Sequence, residues 1–215
     1  MYDTEEEQIE AIKKWWNTYG NLVIGVLLAG LIAYFGWTFY QNSVQSKQEA
    51  ASAVYSNLLD LAQDPESTFD ERGALISTLK SEYSGTTYAV YAALQAAKDA
   101  VKQDNLDAAE TELDWAIERA DDSLKPVIQV RKARVQFAND QLDNALSTLD
   151  SIDVEGFEVA VNELRGDILS VQGQADAARS AYQTAFDASQ EQGMDSRYLK
   201  MKLDDLASAA EEDNA

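Results

Sequence analysis

The sequence has no cysteine and no histidine. The first absence excludes disulfides, thiol nucleophiles and cysteine metal sites. The second removes the imidazole on which serine–histidine catalysis and most zinc or iron sites depend. Proline occurs only at Pro65 and Pro126, and glycine only 10 times in 215 residues. With abundant Ala, Leu, Glu and Gln, that scarcity favours helix throughout. Basic residues are also few, 17 against 38 acidic, for a net charge of -21. The deficit argues against nucleic acid and against adsorption to anionic lipid, because both need basic patches. P-loop, glycine-rich nucleotide fingerprint, nucleophile elbow and calcium-loop spacing are all missing. Carboxylate pairs such as Asp121-Asp122 and Asp204-Asp205 read as helix-end or solvated surface charge. The residues therefore point to no enzyme, no cofactor, no metal and no small-molecule substrate, and turn attention to binding.

One segment breaks the polar pattern. Residues 21–39 hold no charge, and the charge-free stretch extends from Trp15 to Ser46, between Lys14 and Lys47. As a helix, 19 residues rise roughly 28 Å, close to the ~30 Å hydrocarbon core of a bilayer. Trp15, Trp16 and Tyr19 stand at one end and Trp37, Phe39 and Tyr40 at the other, the pattern of an interfacial aromatic belt. A cleaved signal fits poorly, because the lead is long and carries Asp3, Glu5, Glu6, Glu7 and Glu10. The expectation is an uncleaved transmembrane helix over residues 21–40, preceded by an amphipathic N-terminal segment over residues 1–20. Lys13 and Lys14 before it, against Lys47 after it, place the N-terminus in the cytoplasm and the remainder across the membrane. Gly25, Ala29, Ala33 and Gly36 form a small-residue stripe that either admits a second membrane helix or reflects ordinary membrane-helix composition.

The larger part, residues 47–215, holds 15 basic and 33 acidic residues, a net charge of -18. It repeats itself. DNLDAAETELDWAI starts at Asp104, DQLDNALSTLDSI at Asp140 and GQADAARSAYQTAF at Gly173, with spacings of 36 and 33 residues. Each copy places Ala five residues after the turn residue (Ala109, Ala145, Ala178) and a large apolar residue four further on (Leu113, Leu149, Tyr182). Twelve residues before that Ala stands another small residue: Ala97, Ala133 or Gly166. Small residues at these positions let two consecutive helices approach closely, and the large one fills the space beside the contact. Such a pair buries its apolar face only by stacking on neighbours.

This pattern resembles the tetratricopeptide repeat, best in the last copy, where Gly166, Leu169, Gly173, Ala178, Tyr182 and Ala185 fall at the family's spacing. It departs in lacking the tryptophan near the start and the proline near the end, and in Asp104 and Asp140 replacing the turn glycine. The fold expected is all-α: one transmembrane helix followed by a divergent tetratricopeptide-like helical solenoid. A connecting helical pair occupies residues 41–85, the repeats residues 86–190, and a capping helix with an acidic tail residues 191–215. The resemblance implies a partner groove on the first helix of each pair. It would be lined by Tyr91, Leu94, Lys98, Val101 and Lys102, then by Val127, Val130, Arg134 and Phe137. In the third copy Ala160, Glu163, Asp167 and Ser170 hold the corresponding positions. Such a groove suits an extended or helical segment with an acidic or carboxylate end. The alternative is that Lys98 and Arg134 pair with acids on neighbouring helices.

The lead EQIEAIKKWW, the anchor closing on GWTFYQNS, and the runs VIQVRKARVQ and ELRGDILSVQGQADAARSAYQTA together resemble the YfgM family, ancillary to the bacterial Sec translocon. The resemblance spans the chain. It implies a single-pass protein of the bacterial inner membrane with its C-terminal domain in the periplasm. Its implied partners are the SecYEG translocon and a PpiD-type periplasmic chaperone, and its implied role is helping pass exported proteins to periplasmic chaperones. The rival expectation is a membrane-anchored regulatory adaptor that binds a cytoplasmic signalling protein through residues 1–20.

Overall fold

A computed structural model describes residues 5–212. Residues 1–4 of the acidic lead and 213–215 of the acidic tail lie outside the described residues. Among the described residues the chain is all helix and divides into two units, residues 1–50 and 51–215.

Helix α1 spans Glu5–Gln63. No proline interrupts it, and its glycines are tolerated because leucine, isoleucine and alanine dominate around them. Within residues 7–50 most large apolar side chains are exposed, Ile32 at 73% and Phe39 at 78%. Thr18 and Thr38 turn their hydroxyls back to the carbonyls of Lys14 and Tyr34, each at 2.9 Å. That bond satisfies a donor without water. Trp16 folds over Gly20, where a β-carbon would lie 3.1 Å from the indole. A β-carbon at Gly25 or Gly36 would meet nothing within 4 Å, so the small-residue stripe is an open face of α1.

The second unit opens with the end of α1 and continues through α2 (Phe69–Glu82), α3 (Thr87–Lys102), α4 (Leu106–Arg119) and α5 (Lys125–Ala138). Then follow α6 (Leu142–Asp150), α7 (Glu158–Val171), α8 (Ala175–Glu191) and α9 (Arg197–Glu212). Each helix packs mainly on its neighbours in sequence, as a helical-repeat stack requires. The starts of α2, α3 and α4 are capped by side chains: Thr68 and Glu71 form a reciprocal capping box on α2, Thr86 accepts from the Ala89 N–H on α3, and Asn105 accepts from the Ala108 N–H at 3.1 Å on α4. Four apolar clusters succeed one another along the stack. Ala51, Leu58 and Leu79 anchor the first, Ala97, Ala109 and Leu113 the next, Ala133, Ala145 and Leu149 the third, Ala178, Tyr182 and Leu199 the last. The small and large positions of the repeat are thus its core.

The turns share one geometry. Asp104, Asp140 and Gly173 all take positive φ, at 57°, 55° and 73°. In each, the next residue's N–H reaches back to a carbonyl five residues earlier: Asn105 to Ala100, Gln141 to Gln136 and Gln174 to Leu169, all at 2.9 Å. This is the Schellman closure. Aspartate tolerates the left-handed region better than most residues with a β-carbon, so it substitutes for the turn glycine without changing the turn. Gly173→Ala should therefore cost about 1 kcal/mol, and Gly173→Asp less. Urea melts of the two variants monitored by circular dichroism would rank them.

Candidate partner-binding groove

Helix α5 presents three faces, set by the 100° turn per residue. Ile128 and Val135 point into the cluster beneath α3 and α4, while Val130 and Ala133 point into the cluster shared with α6 and α7. Between them Val127, Arg131 and Arg134 face a cavity of about 720 Å³. Its floor includes Leu113 and Val135, both nearly buried, and its walls carry Leu94, Leu124 and Val127. Tyr55, near the end of α1, closes one side with its ring 5.8 Å from that of Tyr91. Burial, then the neighbouring Tyr91, pushes the Tyr55 hydroxyl above its ordinary pKa.

The cations are the distinguishing feature. Lys98, Lys102, Arg131 and Arg134 line this one cavity, are exposed, and make no ion pair among the described residues. No acidic side chain lines it. Most other basic groups of this unit are engaged, among them Lys80 with Glu112, Lys132 with Asp114 and Arg165 with Asp150; Arg179 and Lys200 also make no ion pair among the described residues but lie outside the cavity. The pairing of Lys98 and Arg134 with neighbouring acids, the alternative raised by the sequence, is not what the structure contains.

Of the residues expected on the groove, Tyr91, Leu94, Lys98, Lys102 and Arg134 come together, joined by Val101 and Val127. Val130 does not. It is 4% exposed in the core, because it lies about 60° around the helix from Val127. Phe137 packs against the same cluster, on the same face as Val130. The third copy is closed by the chain itself. Lys202 of α9 reaches Glu163 at 3.0 Å and Asp167 at 2.6 Å, its Nζ 4.6 Å from the Tyr198 ring centroid. Burial opposes the charge on Lys202, but hydrogen bonds to the two carboxylates outweigh it and hold the ammonium above its usual pKa. The Tyr182 hydroxyl is pushed up too, by burial first and then by its 2.7 Å donation to Asp167. Ala160 packs on the preceding cluster and Ser170 is half-buried.

Several lining residues had no place on the expected groove, Arg131 and Tyr55 among them. Arg131 was recoverable from helical period, since it follows Val127 by four and precedes Arg134 by three. Tyr55 was not, because it belongs to α1, outside the repeats. Among the described residues no cluster of three or more metal-ligating side chains forms.

Stacked helix pairs, left-handed turns and an inner groove define the class: a tetratricopeptide-like helical-repeat protein. A family model described as "Tetratricopeptide repeat-like domain" matches residues 13–208. The chain is 34% identical over 207 residues to a Haemophilus influenzae protein named "Ancillary SecYEG translocon subunit", covering 95% of this chain and 99% of that one. Proteins of the same name from Escherichia coli K12 and Neisseria gonorrhoeae are 31% and 29% identical, over 96% and 94% of this chain and 98% and 97% of theirs. The chain belongs to this family of ancillary SecYEG translocon subunits. No solved structure matches it.

Proposed function

We propose that the protein is an inner-membrane subunit ancillary to the SecYEG translocon, with its repeat domain on the periplasmic side as an interaction module. The carrying observation is the 34% identity to a protein of that name, which spans the apolar helix and the repeats together. The exposed apolar stretch of α1 supports the anchor by length and composition. Lys13 and Lys14 support a cytoplasmic N-terminus. The groove between α3 and α5 supports binding of protein segments. On this reading the domain helps hand exported proteins to periplasmic chaperones, with a PpiD-type chaperone as partner, by raising local concentration beside the channel. The Gly25, Ala29, Ala33 and Gly36 face of α1 is the proposed contact with another membrane helix.

The test is affinity purification of the tagged full chain from digitonin-solubilised membranes. SecY should be recovered, and recovery should persist when residues 2–14 are deleted. Recovery no higher than with an unrelated single-span protein would defeat the proposal. Loss of SecY on the deletion alone would favour a cytoplasmic adaptor.

A further inference from the structure

We infer that the α3–α5 groove takes a short peptide segment in which carboxylates alternate with apolar side chains. The inference rests on the reading of this groove as the partner site and adds the chemistry of what enters it. Charge complementarity carries it. In a unit of net charge -18, four unpaired cations line a single cavity that no carboxylate enters.

The spacing narrows the occupant. Lys98 and Lys102 are one turn apart on α3, and Arg131 and Arg134 one turn apart on α5, each pair separated by about 5–6 Å at the β-carbons. Alternate residues of an extended peptide are spaced by about 6.6 Å, and intervening side chains point the other way. Carboxylates at alternate positions therefore meet the two cation rows while apolar neighbours reach Leu113 and Val135. A cavity of about 720 Å³ admits only a few residues at once. Lys202 occupies the acids of the third repeat, so the basic site ends with the second.

The surrounding charge makes the choice selective. At physiological salt, fields decay within about 8 Å. A uniformly acidic chain is repelled wherever it passes within that distance of the acidic surface around the groove, whereas a short segment with a few carboxylates meets mainly the groove's cations. Desolvated guanidinium–carboxylate contacts then hold it.

Fluorescence anisotropy of the full chain in detergent micelles tests this. The probe is a labelled peptide of about ten residues alternating Glu with Leu, compared with versions carrying Gln or Lys for Glu. The Glu peptide should bind about tenfold more tightly than the Gln version, weaken with added salt, and lose most affinity to Lys98→Gln/Arg134→Gln. Both positions are exposed, and an unchanged thermal melt would confirm that the variant folds. Equal affinity for all three peptides, or full affinity in the double variant, overturns the inference. So does displacement of the Glu peptide from wild type by phosphatidylglycerol vesicles, which would make the site one for anionic lipid. SecY recovery by the same double variant separates the two readings. If recovery persists while peptide selectivity fails, the inference falls alone; if wild type recovers no SecY, the wider proposal falls whatever the peptides do.

Discussion

Replacing Arg72 with alanine should destabilise the start of the repeat domain by about 3–5 kcal/mol. Arg72 and Asp99 form a pair in which each side chain is 8% exposed, with Nε 2.8 Å from the carboxylate. Arg72 also donates to the Ser67 hydroxyl at 2.7 Å and lies 4.7 Å over the Phe69 ring, while Gln95 donates to the other Asp99 oxygen at 3.0 Å. The guanidinium thereby ties the loop before α2 to the last turn of α3. Without it, Asp99 keeps a buried charge supported by a neutral amide. A buried ion whose partner is removed costs more than the pair contributes, so Arg72→Met with Asp99→Leu should recover most of the loss. Urea unfolding of the full chain, followed by circular dichroism, checks both. A single-variant loss below 1 kcal/mol, on the order of an exposed ion pair, would show that the pair is not buried in solution.

Gly166→Ala should cost about 2 kcal/mol, against the usual direction for a glycine inside a helix. Helix propensity alone favours alanine by about 1 kcal/mol. Here a β-carbon would stand 2.5 Å from two ring carbons of Tyr182. The ring has little room to yield, since Tyr182 is 4% exposed and its hydroxyl is held by Asp167 at 2.7 Å. The other copies show the compatible combination: Ala97 with Leu113, and Ala133 with Leu149. Tyr182→Leu placed in the Gly166→Ala background should therefore restore part of the loss, an interaction that a double-mutant cycle reads directly. Strict additivity of the two changes would refute the steric account.

The core was legible because the repeat spacing fixes it. Ala109, Ala145 and Ala178 recur at one register, and all are fully buried. The turns were legible at all three positions, because Asp104 and Asp140 stand at the spacing of Gly173, and there the residue changes while the backbone conformation does not. Helix α9, Arg197–Glu212, falls within residues 191–215, the stretch read from the sequence as a capping helix with an acidic tail. The groove was harder. Consensus positions located α3's contribution, but α5 is packed on two sides, and a rotation of about 60° separates a groove residue such as Val127 from a core residue such as Val130. Tyr55 and Lys202 come from helices flanking the repeats. No spacing within the repeats foretells them, since long-range packing decides where they land.

Lys202 also bears on the number of repeats. A fourth helix pair added after α8 would have to lay its first helix where α9 now lies, against Glu163 and Asp167. An ordinary apolar repeat surface placed there would leave two partly buried acids, Glu163 and Asp167, without their cation. The ion cluster thus works as a terminator: it makes growth of the array at this end unfavourable unless the incoming helix brings its own cation.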